Sequence, residues 1–168
     1  NRNRTYAITH STRKILQKLN IWSEIVSNLV PFQHLYFIDN EINKKVKFSL
    51  NDLITSNRSF SAIGWIADHQ TLMSTLLNYI SNIENINKIP TSVIPNTHKY
   101  DLIIAADGSS SNTRKKLKIP YFSFNYDQVC ITTKVLLRGL KSNKAFEIMT
   151  SEGPMAVLPL GGDLFQIV

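Results

Sequence analysis

Tyr100-Asp-Leu-Ile-Ile-Ala-Ala-Asp-Gly-Ser-Ser-Ser-Asn-Thr-Arg114 is the stretch whose reading decides the fold class. From Tyr100 to Ala106 it is a nearly continuous apolar run, the pattern of a strand covered on both faces. The run ends in Asp107-Gly108 and a serine-rich turn, and a short basic helix is expected after Asn112. A strand that ends this way puts a carboxylate and an unhindered backbone at its carboxyl end, where open α/β sheets bind ligands. An Asp at that place accepts hydrogen bonds from ribose hydroxyls, and the amides after it approach a phosphate. The competing reading is a strand-to-helix turn with Asp-Gly as punctuation. The residues by themselves leave both open.

On the N-terminal side, Ile15, Leu16, Leu19, Trp22 and Ile25 fall at helical spacing from Ser11 onward, with His10 or Ser11 available as the cap. His34 to Ile38 and Val46 to Leu50 are β-rich runs separated by Asp39-Asn40-Glu41-Ile42-Asn43, which predicts a hairpin or two neighbouring strands. The polar stretch from Asn51 to Ser61 reads as a loop. Ile63-Gly64-Trp65-Ile66 is extended, and Asp68 caps a second helix whose Leu72, Met73, Leu76, Leu77 and Ile80 form one apolar face, expected in the core. Pro90 and Pro95 restrict the following region to short strands or loop.

Beyond Pro120 the pattern changes. Val129 to Leu137, Ala145 to Met149, Met155 to Leu160 and Leu164 to Val168 are strand-like runs broken by turn residues, with Gly161-Gly162 as a hairpin turn. The expected class is α/β (α+β): a mixed part first, an antiparallel sheet after, with the boundary near Pro120. The single cysteine, Cys130, lies in a strand-like run and is expected to be a buried thiol. One cysteine excludes an internal disulfide or a cysteine-based metal cluster.

At 43% hydrophobic residues the chain has the composition of a folded protein, and no stretch approaches the roughly 18 apolar residues that span a bilayer. A cytoplasmic protein is the default expectation. The net charge of +7 raises affinity for polyanions, but the densest basic cluster is only Arg114-Lys115-Lys116 with Lys118, too short for a nucleic-acid arm. A solvated basic surface is the expectation, with no nucleic-acid partner. His10, His34, His69 and His98 are dispersed and offer neither a catalytic triad nor metal-ligand spacing. The chain begins Asn-Arg-Asn-Arg and ends inside the apolar run Gln166-Ile167-Val168, so both ends are expected to be cuts in a longer protein.

Four stretches, taken together, resemble one family. Ala106, Asp107, Gly108, Ser111 and Arg114 match the strand, A-D-G, Ser and Arg pattern of the para-hydroxybenzoate-hydroxylase-like flavoprotein monooxygenases. Arg4-Thr-Tyr-Ala-Ile-Thr9 with Ser11, Leu16, Leu19 and Trp22 is similar to the R-x-x-A-L-S segment and helix of their ubiquinone-biosynthesis branch. Gly64-Trp-Ile-Ala-Asp-His-Gln70-Thr-Leu72 looks like its G-x-V-V-E-N-R-x-L stretch. Phe146-Glu147 and Gly153-Pro154-Met-Ala156-Val-Leu158-Pro159-Leu160 look like its E-x-F and G-P-x-A-x-L-P-L patterns. The match runs from Arg4 to the C-terminus in the family's order.

The departures are specific. No G-x-G-x-x-G spacing exists among the six glycines, so that fingerprint is expected upstream of Arg4. The family's later Gly-Asp motif is expected beyond Val168, with Gly162-Asp163 a decoy in a hairpin turn. Gln70 stands where the ubiquinone branch usually has Arg.

The resemblance implies a partial Rossmann-like FAD-binding domain over residues 1–120, with an inserted strand pair near 34–62, and part of a substrate-binding β-sheet over 121–168. It implies FAD as cofactor, NAD(P)H as reducing cosubstrate, and hydroxylation of a prenylated aromatic ubiquinone precursor, with another flavoprotein hydroxylase or reductase of an apolar ring as the nearest rival. A non-catalytic basic binding module is the rival of another class. By the resemblance, Arg4 lies near the FAD pyrophosphate or adenosine, Gln70 hydrogen-bonds the ribityl or phosphate region, and Asp107 and Gly108 line the groove shared by FAD and the nicotinamide. Arg114 assists there or anchors its short helix by a salt bridge; for Arg4 a solvated surface side chain is the competing reading. Peripheral contact with the inner membrane and assembly with other ubiquinone-biosynthesis proteins follow as expectations. No protein nucleophile is needed, since the flavin carries the oxygen chemistry.

Overall fold

The computed structural model describes residues 4–53, 60–89 and 99–168. The chain divides into two units, one of residues 1–83 with 130–168 and the other of residues 84–129.

The first unit is built around β5, Gly64–Asp68, the middle strand of a three-stranded antiparallel sheet ordered β1-β5-β2, with β1 at Thr5–Ile8 and β2 at Val30–Phe32. Successive side chains of a strand point to opposite faces, and β5 buries both. Trp65 and Ala67 join Ile8, Ile25, Leu29 and Ala62 in one core cluster, against which Trp22 and Leu72 pack. Ile66 points the other way and joins Phe32 and Ala145 in a second cluster with Leu35 and Leu158. That second cluster joins the small sheet to a six-stranded mixed sheet.

The larger sheet is ordered β4-β3-β7-β8-β9-β6, comprising β3 (His34–Asp39), β4 (Lys44–Ser49), β6 (Thr133–Leu136), β7 (Lys144–Thr150), β8 (Gly153–Gly161) and β9 (Leu164–Ile167). Every pair in it is antiparallel except β3 with β7. The β3–β4 hairpin forms as its turn chemistry predicts: Asp39 Oδ1 accepts from the amides of Glu41 and Ile42 at 3.0 and 3.2 Å, and Asn43 takes φ 51°. The expected hairpin at Gly161-Gly162 also forms, joining β8 to β9 with Gly162 at φ 55°. Gly162-Asp163 is therefore a strand connection and begins no helix.

The first helix departs from its expected form. Helix α1 spans His10–Lys18, and its cap is Thr9, whose hydroxyl accepts from the Thr12 amide. The apolar period continues to Ile25, but the chain turns at Asn20, φ 58°, and resumes as the one-turn α2, Trp22–Ile25. Asn adopts the left-handed conformation more readily than most residues, and the break leaves Ile15 and Leu19 exposed while Leu16 and Ile25 stay buried. Helix α3, His69–Ser81, has its predicted cap: Asp68 Oδ2 accepts from the amides of Gln70 and Thr71 at 3.0 and 3.4 Å. Its apolar face is not the core element expected from the spacing. No residue of α3 is fully buried, and Met73 and Leu77 are exposed.

The second unit corrects the reading of the decisive stretch. Tyr100 to Ala106 forms no strand, and Leu102 and Ile104 are exposed at 76% and 79%. An apolar run becomes a strand only when neighbours take its backbone hydrogen bonds, and no strand among the described residues pairs with it. For the same reason the run from Val129 is a strand only over Thr133–Leu136, where β9 pairs with it, and Cys130 is exposed. The short helix is present as α4, Asn112–Lys116. The calls on Pro90 and Pro95 lie outside the described residues, as does most of the loop after Asn51.

Candidate functional site

Two of the five candidate site residues, Arg4 and Gln70, lie at the β5–α3 junction. Thr5 pairs with Asp68 across the small sheet, and the Arg4 carbonyl accepts from the His69 amide at 2.9 Å. Arg4 thus lies beside the first turn of α3, where Gln70 follows directly; both side chains are exposed. The sheet pairing brings residues from opposite ends of the N-terminal half to one point. Tyr6 Oη lies 2.8 Å from His69 Nδ1 and fixes that ring over the junction. Asp68 faces Lys134 on β6, whose Nζ is 3.3 Å from its Oδ1. Burial raises the Asp68 pKa, but the Lys134 ammonium and the Thr71 and Gln70 amides outweigh it, leaving the carboxyl below its ordinary value. Among the described residues this is the one ion pair.

The other three candidates lie close together, Asp107 and Gly108 on the loop leading into α4 and Arg114 within that helix. Asp107 Oδ1 accepts from the Ser111 hydroxyl, and its Oδ2 accepts from the amide and hydroxyl of Thr113, both at 3.1 Å. Ser111 in turn caps α4, accepting from the Arg114 amide at 3.0 Å. The carboxylate is exposed and reachable from outside its own loop. Gly108 has φ 87°, and a methyl group placed on it would meet nothing within 4 Å, so its backbone is open to approach. The Arg114 guanidinium donates to the Ser109 carbonyl at 2.6 Å and stacks on the Tyr121 ring at 4.0 Å. The helix-anchoring salt bridge that competed for Arg114 is absent among the described residues; a carbonyl and an aromatic face take its place.

The Ser111 hydroxyl, followed by the Thr113 amide, lowers the Asp107 pKa from the usual 3.8 to about 2. A depressed carboxyl pKa stabilises the folded loop above the unfolded value and loses that contribution as pH falls through the folded one. The Asp107 loop is therefore expected to hold at pH 4 and to loosen near pH 2. Ser111→Ala should return the Asp107 pKa toward 3.8, which a carboxyl carbon NMR titration reads directly; an unchanged pKa would mean the Ser111 contact does not hold the charge.

Sequence reasoning missed Lys134 and Gln166. Lys134 carries no motif, and only the β6–β9 pairing brings it to Asp68. Gln166 is a polar residue in an apolar run and is 2% exposed on β9, the one signal that marked it out. No His, Cys, Asp or Glu cluster suited to a metal occurs among the described residues.

No family model matches the chain. An uncharacterised protein of Synechocystis is 29% identical over 182 residues, covering 97% of this chain and 43% of that protein. The mitochondrial ubiquinone biosynthesis monooxygenase of Dictyostelium discoideum is 25% identical over 205 residues, covering 98% of this chain and 41% of that protein. Over nearly its whole length the chain is similar to ubiquinone biosynthesis monooxygenases, at 20–25% identity. It spans 41% of that monooxygenase's length, and its similarity runs through both candidate loops rather than one motif. Among solved structures, HpxO of Klebsiella pneumoniae complexed with FAD superposes with a TM-score of 0.66 at 15% identity, over 97% of this chain and 46% of that one. The likeness establishes the fold, the mixed α/β architecture expected from the sequence.

Proposed function

We propose that the protein carrying this chain is an FAD-dependent monooxygenase that hydroxylates the aromatic ring of a prenylated phenolic ubiquinone precursor, using NAD(P)H and O2. The observation that carries this reading is that the Arg4 carbonyl binds the His69 amide at the start of α3, next in sequence to Gln70, in a chain similar over nearly its whole length to a ubiquinone biosynthesis monooxygenase. In this reading residues 1–120 belong to the FAD domain, with the strand pair near 34–62 inserted on the substrate side, and 121–168 belong to the substrate sheet.

The residues present fit part of an FAD. The first turn of α3 offers the exposed Gln70 amide side chain beside Arg4, a cation and a neutral hydrogen-bonding group suited to a phosphate and a polyol. Gly108 offers backbone that no side chain screens, and Asp107 an acceptor position for a ribose hydroxyl. Bound there, the flavin supplies the activation of oxygen that the side chains cannot. The chain's own tasks are to hold the cofactor, to orient the ring against the sheet and to keep water away from the reacting atoms. No helix among the described residues is long and apolar enough to cross a membrane. A substrate with a prenyl tail brings the enzyme to the inner membrane as a peripheral protein, aided by the net charge of +7, alongside other proteins of ubiquinone biosynthesis.

The test is Asp107→Ala in the full-length gene product. Loss of a charge-assisted contact to the ribose is expected to weaken FAD retention by about tenfold while the protein stays folded. Loss of solubility with normal flavin per folded molecule would instead make Asp107 a turn residue only.

A further inference from the structure

Gln166 lies deep in the larger sheet. It is 2% exposed, and its Oε1 is covered and has no hydrogen-bond partner among the described residues. On β9 it stands opposite Leu158 of β8 and Lys134 of β6, and it shares their face of the sheet. Leu158 packs with Phe32 and Ile66, and Lys134 reaches Asp68. That face is therefore turned toward the β5–α3 junction, where Arg4 and Gln70 lie. A buried amide oxygen without a donor is unfavourable, and an apolar side chain of similar size would avoid the penalty. Native proteins leave such an atom unpaired where a water or a ligand completes it.

We propose that Gln166 is a specificity-determining residue: its Oε1 accepts a hydrogen bond from a hydroxyl on the ring substrate, selecting a neutral phenol over the corresponding ether. The proposal rests on the hydroxylase reading above and assigns that site its polar selector. Three features support it. The side chain sits on the face from which Lys134 reaches Asp68, the cap of α3, rather than on the opposite one. Its strand neighbour Leu158, which packs against the cluster of Phe32 and Ile66, suits the body of an aromatic ring and leaves the amide as the point of polar recognition. Its strand partner Lys134, paired with Asp68, is partly exposed, at 33% and 36% for the two, so the row of side chains to which Gln166 belongs reaches solvent. A neutral phenol has the proton to give; a phenolate has none and would be repelled by the carbonyl dipole.

The test uses the full-length, FAD-loaded protein with para-propylphenol and its methyl ether as probes. Binding is read by perturbation of the bound flavin's absorption and by calorimetry. The wild type is expected to prefer the phenol by at least about 100-fold, because a site built to receive a hydroxyl rejects an analogue that lacks it. Gln166→Leu should bring the two probes within about threefold of each other, with flavin content unchanged and Tm equal or higher. Gln166→Glu, which keeps an acceptor, should retain a preference for the phenol, and Gln166→Met serves if the leucine variant does not fold. A leucine or methionine variant that keeps the wild-type preference overturns the proposal, as does a lowered Tm with unchanged preference, which would mean that water or protein completes the oxygen. A full-length protein that takes up no flavin overturns the hydroxylase reading instead, and calorimetry with the same two probes then reads Gln166 on its own.

Discussion

Gly64→Val is expected to abolish the stable fold. A Cβ at this position would lie 2.8 Å from Phe32 Cζ and 3.0 Å from the Ile8 carbonyl oxygen. Neither neighbour can yield cheaply. Phe32 is 6% exposed within the second core cluster, and the Ile8 carbonyl belongs to β1, which pairs with β5 at Ile8↔Trp65. Overpacking a well-filled core costs about 1–3 kcal/mol and occasionally more, and valine adds two further methyl groups to a position that a single one already overfills. Thermal unfolding of Gly64→Ala in the full-length protein should show a loss of about 2–3 kcal/mol, and Gly64→Val should not give soluble folded protein. Wild-type Tm in both variants would mean that β1, β5 and β2 do not pack as described.

Phe165→Ala should cost about 3–5 kcal/mol, the usual range for deleting a fully buried aromatic side chain. Phe165 is fully buried on β9, between Val135 of β6 and Pro159 of β8. Its neighbour Gln166, on the other face, is buried too, so β9 is covered on both sides. The contrasting variant is Phe122→Ala, whose side chain is 91% exposed and whose removal should change stability by no more than about 0.5 kcal/mol. Urea denaturation of both variants separates the cases; equal losses would contradict the burial of β9.

What could be read in the sequence was what short-range chemistry determines. The Asp39 turn, the glycine hairpin before Leu164 and the Asp68 cap each depend on a few adjacent residues, and each formed as expected. What could not be read depended on distant partners. Periodicity showed that α3 has an apolar face but not how much of it is covered, and Met73 and Leu77 lie open. Tyr100 to Ala106 has the composition of a buried strand, yet a strand is a property of a pair, and no described strand pairs with it. The Arg4–His69 contact and the Lys134–Asp68 pair follow from strand register, which a single sequence does not give. Gln166 stands out in the sequence only as a polar residue in an apolar run, and its burial on β9 is what gives that a meaning.

In the proposed reading Gln70, at the β5–α3 junction, and Asp107, on its own loop, each contribute a contact to FAD. The most direct measurement is the FAD content of the full-length gene product, purified without added flavin and then titrated with FAD, alongside variants carrying Gln70→Ala and Asp107→Ala. A yellow protein holding about one FAD per chain, with affinity lowered about tenfold in each variant and folding unchanged, is the predicted result. A full-length protein that takes up no FAD even on titration, or one whose affinity is untouched in both variants, would contradict it.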